Sequence, residues 1–160
     1  MSMTTQNKTL TLMRHGESDQ FFRGRDFDRP LTENGYAFCT SQSSLLLKKS
    51  PVDFILCSGA LRTRQTLDAL KDELSIPQSV IYDDALFLAS TRYLIEQIES
   101  IPENKNHALV IGHGPTVSGT YQWLTDGSET QHLLFSAGDI KSMKLSISNW
   151  LELYPGCDCS

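Results

Sequence analysis

The sequence predicts an α/β fold with a mainly parallel central sheet. Short apolar runs alternate with longer amphipathic ones, each short run is soon followed by Gly, Ser or Asp, and apolar residues in the long runs recur at helical spacing. A length of 160 residues favours one domain, spanning 1–160, with its core over about 9–150 and flexible tails expected at 1–8 and 155–160. A domain of this size buries roughly 68–70% of its unfolded-chain surface, so folding needs neither disulfide nor metal staples.

Thr9 to Met13 alternates (TLTLM) and is predicted as the first strand. Thr32 offers an N-cap for a helix that runs to about Lys49, before Pro51 stops it. Val52 to Cys57 (VDFILC) is the second strand. Ala60 to Leu74 is a helix, because Leu67, Leu70 and Leu74 share a face. Ser79 to Tyr82 is a short third strand, and Thr91 to Ile101 a helix with Leu94, Ile98 and Ile101 inward and Pro102 as its stop. His107 to Ile111 (HALVI) is the fourth strand. Pro115 suits the first position of a helix that carries Val117, Tyr121 and Leu124. Then the period changes: Met143, Leu145 and Ile147 alternate as in a strand with one wet face, and Gln131 to Ala137 is expected to pair with it as a hairpin through Gly138-Asp139. Asp19 to Pro30 has no period and is dense in Phe, Arg and Asp, so it reads as a loop over whatever His15 does.

Composition narrows the function classes. Hydrophobic residues make up 39% and charged residues 21%, a globular balance. The net charge of -5 argues against a nucleic-acid or anionic-membrane partner, although a basic site can sit in an acidic protein. The first eight residues are polar, without a signal-peptide core, and no run approaches the ~20 apolar residues of a membrane span. The expectation is a soluble, cytoplasmic protein. Cys39 and Cys57 are expected as free buried thiols, and Cys157 with Cys159 is a poor zinc site because two thiols lack further ligands nearby.

In open α/β sheets, ligands bind beyond the carboxyl ends of the strands. The first strand ends at Arg14-His15-Gly16, the second at Ser58-Gly59 before a helix with Arg62 in its first turn, and the fourth at Gly112-His113-Gly114. If these strands are neighbours, Arg14, His15, Arg62 and His113 converge with two helix N-termini on one crevice, an arrangement suited to an anion, a phosphoryl group above all. Gln65 and Thr66 share the face of Arg62 and are expected to orient its guanidinium, whereas Arg64 reads as a surface charge. His107 and His132 read as structural or exposed, and the histidine spacing fits no compact zinc pattern, so no metal is expected.

Four segments in register, TLMRHGES (Thr11 to Ser18), RPLTENG (Arg29 to Gly35), CSGALRTRQT (Cys57 to Thr66) and VIGHGPTV (Val110 to Val117), resemble the histidine phosphatase superfamily, also called phosphoglycerate mutase-like. The short length and RPLTENG are most similar to its small SixA-like phosphohistidine phosphatases. The resemblance implies a three-layer α/β/α sandwich. It implies His15 as the nucleophile that takes the phosphoryl group, Arg14 and Arg62 as clamps on its oxygens, and His113 as a further donor. It implies a phosphorylated protein or small phosphorylated molecule as substrate, inorganic phosphate as product, and no cofactor.

Larger members of the superfamily use a carboxylic acid to protonate a leaving alcohol; Asp84 is the first candidate here, Asp83 the second and Glu17 the third. A phosphoramidate leaving group gains its proton more easily than an alkoxide, so phosphohistidine on a protein is the leading substrate and small esters such as sugar phosphates the alternative. A phosphoglycerate mutase would need inserts for which the chain is short, and a non-catalytic phosphate-binding module is the reading from a different class. Specificity is expected from Asp19 to Pro30 and from Phe87 to Arg92. Ser18, Arg23 and Arg25 are further candidates for substrate contacts, and Gly114, where small relatives often carry a larger residue, is expected to widen the pocket mouth.

Overall fold

A computed structural model describes residues 7–75, 80–128 and 134–160. Strands β1 (Lys8–Arg14), β2 (Phe54–Ser58), β3 (Val80–Asp83), β4 (His107–Gly112) and β5 (Ile140–Leu145) form one sheet in the order β3-β2-β4-β1-β5. The first four are parallel neighbours, and β5 runs antiparallel to β1 at the edge. The intervening segments form helices α1 (Glu33–Leu47), α2 (Leu61–Lys71), α3 (Thr91–Glu99) and α4 (Gly114–Asp126).

The two-residue period of the strands divides the core. Leu10 and Leu12 of β1, Leu56 of β2 and Val110 of β4 pack with Leu94 and Ile98 of α3 and Val117 and Leu124 of α4. Met13, Ile55, Cys57, Leu109 and Ile111 point the other way, against Cys39 and Leu46 of α1 and Leu67 and Leu70 of α2. Both faces are thus covered by helices, which explains the near-continuous apolar strands of a three-layer α/β/α sandwich. Among the described residues no helix is long and apolar enough to cross a membrane.

Register sets up the site. Arg14 pairs with Gly112, and Ile111 is flanked by Met13 and Cys57, so β1, β4 and β2 end level at one rim of the sheet. Thr32 caps α1, accepting from Gly35 N at 2.9 Å, and α4 starts at Gly114 with a proline in its first turn.

Three expectations need correction. The expected hairpin through Gly138-Asp139 does not form in its described part: Leu134 to Ser136 is irregular, and Gln131 to Leu133, His132 included, lies outside the described residues. Phe135 sends its polar backbone to side chains instead, its N donating to Ser118 Oγ at 3.0 Å and its O accepting from Arg14 Nη1 at 2.8 Å. Its ring is buried in the core, and the ladder partner of β5 is β1. Nor is the N-terminal tail boundary at residue 8 right, because Lys8 is a buried part of β1 whose Nζ donates to Glu103 O, Lys105 O and Asn106 Oδ1. At the other end, residues 155–160 dock on the sheet: Ser146 N donates to Cys157 O at 2.8 Å, Cys159 N to Lys144 O at 2.8 Å and Asp158 N to Leu124 O at 2.9 Å. Elsewhere the shifts are small: β2 starts at Phe54 rather than Val52, Ile147 lies just past β5, and the third strand is seen from Val80, Ser79 being outside the described residues.

Candidate active site

Beyond the ends of β1, β2 and β4 lies a cleft of about 420 Å³, and Arg14, His15, Arg62 and His113 all line it. The Arg-His-Gly turn is held from below, because Gly16 N donates to Thr66 Oγ1 at 3.0 Å and Thr66 in turn donates to Arg62 O at 2.7 Å. His15 Nδ1 donates to Gly16 O at 2.7 Å. That bond places the proton on Nδ1 and leaves the lone pair on Nε2. Arg62 Nε donates to this nitrogen at 3.3 Å. The His15 and His113 rings lie 5.3 Å apart, and His113 Nε2 meets Ser58 Oγ at 2.8 Å.

The electrostatics favour neutral imidazoles. Burial, seconded by the charges of Arg62, Arg14 and Arg29, lowers the His15 pKa to about 4. Burial, then His15 and Arg62, lower that of His113 to about 3. Arg14 Nε is a buried donor without a hydrogen-bond partner, the one such side-chain atom among the described residues. A Cβ on Gly114 would sit 3.2 Å from that Nε, so glycine here is the surface against which the Arg14 guanidinium lies. An unpartnered buried donor on a cleft-lining arginine suits an anionic partner. Chemically, the cleft can hold a tetrahedral anion between guanidiniums and face it with an unprotonated ring nitrogen. Among the described residues, no group of three or more His, Cys, Asp or Glu side chains is placed to hold a metal ion.

Several candidates stand elsewhere. Asp84 is exposed, its carboxylate packed against Gly59 in the space a Cβ would fill, and it does not line the cleft. Asp83 caps the turn Asp84–Leu88 through Ala85 N and accepts from Tyr93 OH at 2.8 Å. Glu17 accepts from Thr32 Oγ1 at 2.7 Å and is exposed. Arg23 is exposed, and Arg25 pairs with Asp28 at 2.8 Å on the outer side of the loop. Ser18 is buried and accepts from Arg29 Nη1, so it supports an arginine of the cleft without lining it. Gln65 and Thr66 fasten neighbouring loops, Gln65 Oε1 accepting from Leu31 N at 2.7 Å, and neither bonds the Arg62 guanidinium. Arg64 is turned away, Nε donating to Gly59 O at 2.8 Å. His107 is a buried structural histidine, its Nε2 against Thr11 Oγ1 at 2.7 Å.

Of the two segments expected to set specificity, Asp26 and Arg29 of the loop and Phe87, Leu88 and Ala89 of the second reach the cleft, and Thr116 joins them from α4; sequence reasoning assigned Asp26, Arg29 and Thr116 no individual role. Asp26 takes over the role expected of Gln65 and Thr66. Its O accepts from Arg62 Nη1 at 2.6 Å, its Oδ2 from Arg62 Nη2 at 3.2 Å and its Oδ1 from Arg29 Nε at 2.8 Å. Burial works to raise the Asp26 carboxyl, but its bonds to Arg29 and Arg62 prevail and hold it below the ordinary carboxylate range. The available signal was the three-residue spacing of Asp26 and Arg29 directly before Pro30 and Leu31.

Comparison with known proteins bears on this cleft. The family model of the histidine phosphatase superfamily (branch 1) matches residues 10–87. An uncharacterized protein of Mycobacterium tuberculosis is 31% identical over 153 residues, covering 91% of this chain and 94% of its own. A structure assigned as the phosphohistidine phosphatase SixA of Nakamurella multipartitia superposes with a TM-score of 0.79 at 29% identity, covering 91% of this chain and 88% of that one. The protein histidine phosphatase SixA in complex with tungstate gives a TM-score of 0.78 at 28% identity, over 88% of this chain and 91% of that one. With its three-layer fold and its RHG turn at the level rim of the sheet, the chain belongs to the histidine phosphatase superfamily, on its SixA-like side, and is a phosphatase.

Proposed function

We propose that this protein hydrolyses phosphohistidine on a protein, through a covalent phosphohistidine formed on His15. Nε2 of His15 attacks phosphorus and the P–N bond of the substrate breaks, the departing imidazole nitrogen taking a proton from solvent. Water then attacks the phosphorus, frees His15 and releases inorganic phosphate. Arg14 and Arg62 hold the equatorial oxygens, where charge develops, and His113 gives a further hydrogen bond.

One observation carries the choice of substrate. Asp26 is the sole carboxylate among the described residues lining the cleft, and its two arginine bonds keep it ionised. A site without a carboxylic acid is poorly equipped to protonate an alkoxide, whereas a leaving imidazole accepts its proton readily. The phosphohistidine phosphatases with similar structures support the same reading.

The test sets a phosphohistidine protein beside a panel of phosphate esters at matched concentration. Faster turnover of the phosphohistidine protein is expected, and faster turnover of the esters rejects the substrate. Quenching with labelled substrate should trap an acid-labile, base-stable adduct that His15→Ala lacks. A protein that binds phosphate but never forms the adduct is a recognition module instead.

A further inference from the structure

We propose that Asp26 is a positioning residue for Arg62, holding the guanidinium across His15 and serving as its counter-ion until a phosphoryl group arrives. This rests on the functional reading above. The Arg62 side chain reaches the cleft from α2, but its hydrogen bonds across the cleft go to the loop: Nη1 to Asp26 O at 2.6 Å and Nη2 to Asp26 Oδ2 at 3.2 Å. With both terminal nitrogens fixed, the plane of the fork is fixed, and Nε falls 3.3 Å from His15 Nε2. Each terminal nitrogen keeps a second N–H, so the Asp26 bonds do not exhaust the fork.

The carboxylate has a second task. Arg29 and Arg62 both line the cleft and repel each other, and Asp26 bonds both. It thereby lets two guanidiniums share one cleft. The same negative charge opposes an incoming anion, so Asp26 acts against ground-state binding while it favours alignment. That opposition separates it from a simple binding residue. Its side chain is 59% exposed, so the ion pair adds little to folding.

The experiment compares wild type, Asp26→Ala, Asp26→Asn and Asp28→Ala, the last altering the outward side of the same turn. In Asp26→Ala, kcat on the phosphohistidine protein should fall roughly 10- to 100-fold. Affinity for inorganic phosphate and tungstate, read by calorimetry, should stay equal or tighten. Asp26→Asn keeps an acceptor and should recover part of kcat, while Asp28→Ala should match wild type. The Arg62 Nε–H resonance should be protected from exchange in wild type and exposed in Asp26→Ala. Unchanged kcat in Asp26→Ala overturns the proposal, as do anion affinity falling in step with kcat, equal loss in Asp28→Ala, or an Arg62 resonance indifferent to Asp26. A wild type that hydrolyses neither phosphohistidine nor esters overturns the functional reading instead, and the resonance then decides the role of Asp26 by itself.

Discussion

His15 presents a lone pair on Nε2 at neutral pH because the Gly16 bond selects the tautomer and burial outweighs the pull of that same bond toward the charged ring. Its Nδ1 proton is committed to Gly16 O at 2.7 Å, and its burial beside arginines makes a second proton costly. Burial also keeps His113 neutral, with a pKa near 3 against about 4 for His15. Unfolding would return both to the ordinary histidine value of 6.5. The sign follows. Below 6.5 the unfolded chain binds protons that the folded chain refuses, so the stabilising effect of neutral histidines is complete above that pH and is lost as pH falls toward about 4 and then about 3. The expected outcome is a loss on the order of a few kcal/mol between pH 7 and pH 4.5, measured by urea unfolding. In the same range, ¹⁵N spectra of the imidazoles should keep the neutral pattern at pH 5.5, with Nδ1 protonated in His15. Titration of either ring near pH 6.5 would contradict the burial account.

At the scale of elements, the exit of β1 and the entry of α1 touch backbone to backbone. A Cβ on Gly35 would lie 2.2 Å from Glu17 O and 2.9 Å from Glu17 N, so no side chain fits between the first turn of α1 and the chain just past the RHG turn. The neighbouring Gly16 carries the carbonyl that selects the His15 tautomer. Glycine at position 35 is therefore a matter of close approach. Gly35→Ala must push the turn back by about an ångström, an overpacking cost of roughly 1–3 kcal/mol. The melting temperature should drop by about 4–10 °C. The displaced turn should also lower kcat by roughly 100-fold, since small misplacements of reacting groups cost that much. Asn34→Ala, on the exposed side of the same helix turn, should change neither. A Gly35→Ala enzyme with normal kcat and a lowered melting temperature would show that this contact supports folding alone.

For the whole molecule, what could be read from the chain follows how local its cause is. The parallel strands were legible because both of their faces are buried and their ends carry turn chemistry. Arg14, His15 and His113 were legible because they stand directly at those ends. Asp26 and Arg29 were not, because their loop takes its shape from distant partners, among them Gln65 at Leu31 N and Ser18 at Arg29. The docking of residues 155–160 was equally hidden, since a short polar segment has no period to betray an edge contact. That docking allows stability and chemistry to be separated. β5 runs antiparallel to β1, so its start at Ile140 lies opposite Met13 near the cleft, and its end at Leu145 lies opposite Lys8 at the far end of the sheet. The terminal segment bonds Lys144 and Ser146 at that far end, together with Leu124 near the end of α4. Removing residues 155–160 forfeits these backbone bonds, each worth about 1 kcal/mol net, and takes the buried Cys157 side chain out of the core. The melting temperature should fall by about 5–12 °C, while kcat at about 20 °C stays within about twofold of the full chain. Loss of kcat without loss of thermal stability would mean that the segment communicates with the cleft along β5, and the division between the two ends of the sheet would have to be given up.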